Sequence, residues 1–211
     1  MNRYQDIFVS YRHNVTEKAR QYASGLMRSG IRKNIASMSE VVPDTKDRNL
    51  QQFLTHSRWD HRKLMDQVAA DANRNLGDKV ECGLIIDESA FPKQGKMSAG
   101  VSRQWLGRLG KVDNGQVGVF GVMANGKYVV PIDARLYLPK EWVNDKQRCQ
   151  KAGIPKEACV FKTKIELALE IVKTAAENKL NYGWVGADAG YGKGPEFIME
   201  LDKAGHTCVV D

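Results

Sequence analysis

No stretch of this sequence stays apolar for the roughly 20 residues needed to cross a bilayer. The N-terminus, MNRYQDIFVSYRHN, also lacks an apolar segment of the signal-peptide kind. A membrane protein is therefore not expected. Cysteine is scarce: Cys82, Cys149, Cys159 and Cys208 lie far apart and form no C-x-x-C pair. That excludes the disulfide framework of small secreted domains and points to the reducing cytoplasm. Internal repeats and low-complexity tracts are missing too, which removes solenoids and flexible linkers from consideration. Nor is there an acidic excess, since 32 Lys and Arg outnumber 25 Asp and Glu for a net charge of +7. A surplus of this sign favours polyanionic partners, nucleic acid or an anionic membrane surface.

What remains is an ordinary globular composition, 42% apolar and 27% charged, over 211 residues. Such a chain can bury one full-sized core and carry a small accessory domain. Its first part reads helical. Asn14 stands as an N-cap with Glu17 following, and Ala19, Tyr22, Ala23 and Leu26 recur at helical spacing. A second helix is expected from Ser57, with Asp60 closing a capping box and Leu64, Val68, Ala72 and Leu76 as its buried stripe. VVPDTKDRN between them reads as an exposed turn. Residues 1–78 are thus expected to form a helical N-terminal domain.

From Lys79 the period changes. VECGLIID is a continuous apolar strand, and QVGVFGVMANGKYVVPIDARLYL reads as two strands joined at Asn125 and Gly126, because Asn-Gly between apolar runs is a hairpin signal. A helix follows, opened by a capping box of Thr163 and Glu166, with Ile165, Leu169, Val172 and Ala176 on one face. YGWVGAD then gives a strand ending at Asp188, PEFIMELDKAG a helix opened by Pro195 and closed by Gly205, and HTCVVD a last strand. This order predicts an α/β fold over 79–211: a mixed sheet flanked by helices, with the strands before and after the long helix running parallel.

Asp87 and Asp188 both end apolar strands, where open α/β sheets build their sites. If their strands are neighbours, the two carboxylates repel each other unless a divalent cation lies between them, and oxygen ligands of this kind suit Mg²⁺ or Mn²⁺. Two-metal phosphodiester chemistry would follow from such a site. The plain alternative is that each is a turn former, since Asp caps turns readily. GADAGYGKG lacks the Lys-Ser/Thr ending of a P-loop, which speaks against a nucleotide-binding α/β enzyme. DESAF has no second acid two residues after Asp87, and no G-x-S-x-G surrounds Ser89. His56 and His61 do not share a helix face, which argues against zinc. Lys93, Lys96, Arg103, Arg108 and Lys111, interleaved with Gln104 and Trp105, follow Asp87 closely. They are either a solvated loop or a segment that neutralises DNA phosphates and stacks on a base, and Lys193 beside Asp188 joins the same candidate surface.

LIIDESAFPKQGKMSAGVSRQWLGRLGKVDNGQVGVF together with GADAGYGKGPEF resembles the catalytic domain of bacterial insertion-sequence transposases of the DDE superfamily, whose core is ribonuclease H-like. GLMRSGIRKNIASMSE and QQFLTHSRWD are similar to that family's N-terminal helical region, so the resemblance covers nearly the whole chain. It implies a nuclease and strand transferase that cuts transposon ends and joins them to target DNA with Mg²⁺ (or Mn²⁺), homo-oligomeric on DNA. The first two members of the family's catalytic triad fall on Asp87 and Asp188. Glu88, on the other face of an extended strand, receives no metal role. The family's third carboxylate, a Glu on a later helix, has no match here. Glu200, Asp202 and Asp211 do not stand in its context, which implies either a truncated transposase or a DNA-binding derivative without activity.

Overall fold

The computed structural model describes residues 2–10 and 13–210. The chain forms two compact units, Met1–Gln67 and Val68–Asp211. The boundary falls within a long helix, and the change of period at Lys79 comes just after that helix ends.

The first unit opens with a 3-10 helix, Asn2–Phe8, and two short antiparallel strands, β1 (Val9–Ser10) and β2 (His13–Asn14). Helices α1 (Thr16–Arg28), α2 (Ile35–Val41), α3 (Asp47–Thr55) and the start of α4 (His61–Leu76) follow. Asn14 lies one position before the N-cap Val15, yet its side chain accepts the amide of Thr16 at 3.0 Å. Ser57 does not open α4. Asp60 does, its Oδ1 accepting the amides of Arg62 and Lys63 at 3.0 and 3.1 Å. VVPDTKDRN is a turn only as far as Lys46, and α3 starts inside it. Phe8, Ala19 and Phe53 make the core with Tyr22, Trp59 and Leu64 around them, Phe53 and Trp59 stacking with centroids 6.0 Å apart.

In the second unit, α4 leads to β3 (Gly83–Pro92), β4 (Ser102–Leu106), a 3-10 turn at Gly107–Leu109, β5 (Lys111–Asn125) and β6 (Tyr128–Leu136). Short helices α5 (Lys140–Val143) and α6 (Lys146–Lys151) and a 3-10 turn at Lys156–Ala158 precede α7 (Lys164–Glu177). The chain closes with β7 (Trp184–Ala187), α8 (Ala189–Gly192), α9 (Pro195–Lys203) and β8 (Cys208–Val210). The six-stranded sheet runs β4-β5-β3-β7-β8, with β6 also paired to β5. β3, β7 and β8 are mutually parallel, while β5 is antiparallel to β3, β4 and β6. This is the mixed sheet with flanking helices expected of a ribonuclease H-like core. The strand that β7 joins is β3, not the β6 that immediately precedes α7 in sequence. The hairpin loop is Gly126 and Lys127, closed by the pair Asn125 and Tyr128, and Gly126 takes the left-handed φ of +56° that such a loop demands.

Strand alternation assigns each residue to a face. Leu84 and Ile86 on β3, Val117, Val119 and Met123 on β5 and Val185 on β7 are buried on one face, under α7 and α9. α7 presents Leu167, Ala168, Ile171, Val172 and Ala175, while Ile165 and Leu169 are only half-buried and Ala176 is exposed. The predicted stripe is therefore turned by about one position. The other face carries Ile85, Phe120, Val122 and Trp184 half-buried, and Phe91, Val129, Leu136 and Val209 exposed. A satellite core of Val101, Leu138, Trp142 and Cys149 holds the segment between β6 and α7. Here Cys159 and Cys149 bring their sulfurs to 2.8 Å as free thiols. Among the described residues, no helix is long and apolar enough to cross a membrane.

Candidate acidic site and nucleic-acid interface

Leu84, Ile85 and Ile86 give β3 an apolar stem, and Trp184 and Val185 do the same for β7. The parallel register pairs Gly83 with Trp184 and Ile86 with Ala187. One residue further along each chain stand Asp87 and Asp188. Both belong to the half-open face, because Asp87 follows Gly83 and Ile85 by alternation and Asp188 follows Trp184 and Gly186. On that face the Trp184 ring lies across two glycines: a Cβ on Gly83 would come within 2.5 Å of it and one on Gly186 within 2.8 Å. Glycine at both places lets β3 and β7 run side by side beneath the indole.

The structure thus brings the two predicted acids together. Asp87 Oδ1 accepts the amide of Glu88 at 2.7 Å. Asp188 is the N-cap of α8, its Oδ1 accepting the amide of Gly190 at 3.0 Å. β3 continues to Pro92, so Asp87 lies within the strand where its pairing with β7 stops, not at its end as expected. Desolvation there pushes its carboxyl above the ordinary carboxylate range; its hydrogen bond from Glu88 opposes this, and the charge of Asp188 adds to it. The charge of Asp188 is thus close enough to act on Asp87. Among the described residues there is no cluster of three or more His, Cys, Asp or Glu side chains able to hold a metal. The acids lie on an open surface, whereas an apolar cavity of about 560 Å³, lined by Phe8, Tyr22 and Trp59 among others, is in the first unit.

Glu88 points to the opposite face, as alternation requires. Its carboxylate forms an ion pair with Lys164, the first residue of α7, and accepts a hydrogen bond from the Tyr191 hydroxyl at 3.3 Å. Tyr191 is 2% exposed, and its hydroxyl is pushed far above the usual phenol range by desolvation first and by the Glu88 charge second. Sequence reasoning missed both partners of Glu88. The one available signal was that α8 begins at Asp188, which an Asp followed by Ala-Gly-Tyr-Gly only weakly suggests.

The basic residues spread over the region beyond the carboxyl end of β3. Lys93 and Lys96 are exposed in a loop braced by Asn114, whose Nδ2 donates to the carbonyls of Lys93 and Gly95 at 2.7 and 2.8 Å. Arg103 and Trp105 alternate outward on β4, and Trp105 is 58% exposed. Arg103 and Trp105 pair with Asn114 and Val112 of β5, which places them on the same sheet face as Asp87. Gln104 points the other way, its amide donating to the carbonyl of Gly115 at 2.7 Å. Arg108 is exposed on the 3-10 turn, Lys111 pairs with Asp113 at 2.8 Å, and Lys193 is exposed at the C-cap of α8.

The profile of the DDE superfamily endonuclease family matches residues 7–211. Over 182 residues the chain is 31% identical to the "Probable transposase for insertion sequence element IS701" of Microchaete diplosiphon, a match covering 85% of this chain and 44% of that protein. The chain thus spans less than half the length of that relative. No solved structure matches. With the family profile covering almost the whole chain, the chain belongs to the DDE superfamily of endonucleases.

Proposed function

We propose that this chain is the metal-dependent part of a DNA transposase, in which Asp87 and Asp188 together hold a Mg²⁺ or Mn²⁺ ion for cleavage and strand transfer at transposon ends. The observation that supports it is the adjacency of the two carboxylates on one face of the sheet, with the charge of Asp188 raising the proton affinity of Asp87. Each acid spends Oδ1 on a backbone amide, and Oδ2 is the oxygen that would serve a ligand. Two carboxylates suit Mg²⁺, which commonly takes one or two from protein and completes its shell with water and substrate phosphate. When bound, such an ion activates water or a DNA 3′-hydroxyl and stabilises the charge on the phosphodiester.

The chain's own residues hold the DNA. Lys93, Lys96, Arg103, Arg108, Lys111 and Lys193 neutralise phosphates, Trp105 stacks on a base, and Gln104 braces the strand that presents Arg103 and Trp105. The exposure of both acids suits a polymeric substrate better than a small enclosed one. In nicking assays on transposon-end DNA with Mg²⁺, Asp188→Asn is expected to lose at least about 100-fold in rate. Nicking by Asp188→Asn at the wild-type rate would overturn the proposal.

A second reading rests on the two-carboxylate count among the described residues. In it the chain is a DNA-binding derivative of a transposase without cleavage. It predicts salt-sensitive binding of DNA with no nicking in either Mg²⁺ or Mn²⁺.

A further inference from the structure

Glu88 sits between the two acids in a way the metal reading does not use. Through its backbone it donates to Asp87 Oδ1 at 2.7 Å, on the half-open face. Through its side chain it reaches the opposite face, where Lys164 occupies one carboxylate oxygen and the Tyr191 hydroxyl the other, at 3.3 Å. Tyr191 belongs to the single turn that Asp188 caps: its amide donates to the Asp188 carbonyl at 3.0 Å. The same turn is wedged at two more points. The Tyr191 ring packs on Phe197 with centroids 5.5 Å apart, and a Cβ on Gly192 would come within 2.5 Å of Val210 on β8. A four-residue helix has little stability of its own, so such contacts decide where its cap residue stands.

We infer that Lys164, Glu88 and Tyr191 form a positioning clamp that fixes Asp188 against Asp87 from behind the sheet; the inference rests on the metal-dependent reading of that acid pair. Lys164 holds the Glu88 carboxylate in place through their ion pair, and the carboxylate holds the Tyr191 hydroxyl. Tyr191 sets the turn, and the turn sets Asp188. None of the three touches the cation or DNA. Glu88 is bonded into both halves of the site, through its amide to one acid and through its carboxylate to the turn carrying the other. A buried hydroxyl left without its acceptor is costly, so the tyrosine cannot relax away from Glu88 without penalty. The clamp therefore transmits the position of α7, through Lys164, to the spacing of the acids.

Mn²⁺ alone serves as the probe, with the loss of the free aqua-ion electron paramagnetic resonance signal reporting binding to the full chain. Wild type is expected to bind, and Asp87→Asn to abolish binding. Tyr191→Phe keeps the ring and its packing while removing the hydroxyl, and is expected to weaken Mn²⁺ binding about tenfold, the lower end for loss of a partner that orients a metal ligand. Its melting temperature should stay near that of wild type. Glu88→Asp, whose carboxylate falls one methylene short of both partners, should reproduce the loss from the other end of the clamp and guards against misfolding of the tyrosine variant. Glu88→Gln, which still accepts from Tyr191, should retain more affinity than Glu88→Asp. Wild-type Mn²⁺ affinity in Tyr191→Phe and Glu88→Asp, alongside the loss in Asp87→Asn, would overturn the clamp and leave the metal site standing. Absence of any wild-type binding that Asp87→Asn removes would overturn the metal reading itself, and the clamp with it.

Discussion

Asp87 is the residue where function and stability pull in opposite directions. Its proton is bound more tightly in the folded chain than in the unfolded one, chiefly by desolvation and then by the charge of Asp188. For a carboxyl shifted upward, stability falls as pH climbs from the ordinary carboxylate range through the raised value, and stays lower above it. Asp87→Asn keeps an oxygen for the Glu88 amide and removes the charge. At neutral pH without metal it is expected to raise the melting temperature by on the order of 1–2 °C, a small effect because the side chain is largely in water. The gain should vanish below about pH 3, where both forms are neutral. Conversely, millimolar Mg²⁺ should stabilise wild type and leave Asp87→Asn unmoved, as measured by thermal melts with and without the ion. A melt in which Mg²⁺ shifts both proteins equally would assign the effect to sites elsewhere.

The elements that place these residues depend on a few local decisions. Thr163 and Glu166 form a complete capping box, with Glu166 donating its amide to the Thr163 hydroxyl at 3.1 Å and its carboxylate accepting the Thr163 amide at 2.7 Å. Thr163→Ala should cost about 1 kcal/mol in denaturant unfolding. At Gly121 a Cβ would lie 2.4 Å from Cγ2 of Ile171, a methyl on a β-branched side chain with little rotamer freedom in a helix. Gly121→Ala should therefore force α7 off the sheet and cost about 1–3 kcal/mol, whereas Gly30→Ala, with nothing near its Cβ, should be close to neutral. The capping box and the hairpin at Gly126 were legible in the sequence because cap and turn chemistry is local. The α7 stripe was misread by a position, since Ile165 and Leu169 satisfy helical spacing as well as Leu167 and Ile171 do, and only the sheet decides which set is buried. Likewise α3 hid behind a Pro-Asp turn, its amphipathic face being resolved only by packing of Leu50 and Phe53. Asp87 and Asp188 stood out because each ends an apolar run, although β3 itself continues past Asp87 to Pro92. The Glu88 contacts were invisible because they join β3, α7 and α8 across the sheet.

At the scale of the whole molecule, the net charge of +7 and the basic residues beyond β3 predict DNA binding that weakens steeply with salt. Each phosphate neutralised should contribute about −0.9 to the slope of log affinity against log salt. Removing Lys93 and Lys96 together should lower that slope by about 2, read from binding isotherms across salt concentrations, with little change in fold because both side chains are exposed. The central claim, however, is that acids a hundred positions apart hold one cation between neighbouring parallel strands. It is tested most directly by replacing that cation with Fe²⁺ and mapping backbone cleavage by the hydroxyl radicals generated at the bound iron with ascorbate and peroxide. The account predicts two cuts, one beside Asp87 and one beside Asp188, both suppressed by excess Mg²⁺ and both absent in Asp188→Asn. Cuts at only one of the two positions, or none that Mg²⁺ suppresses, would contradict it.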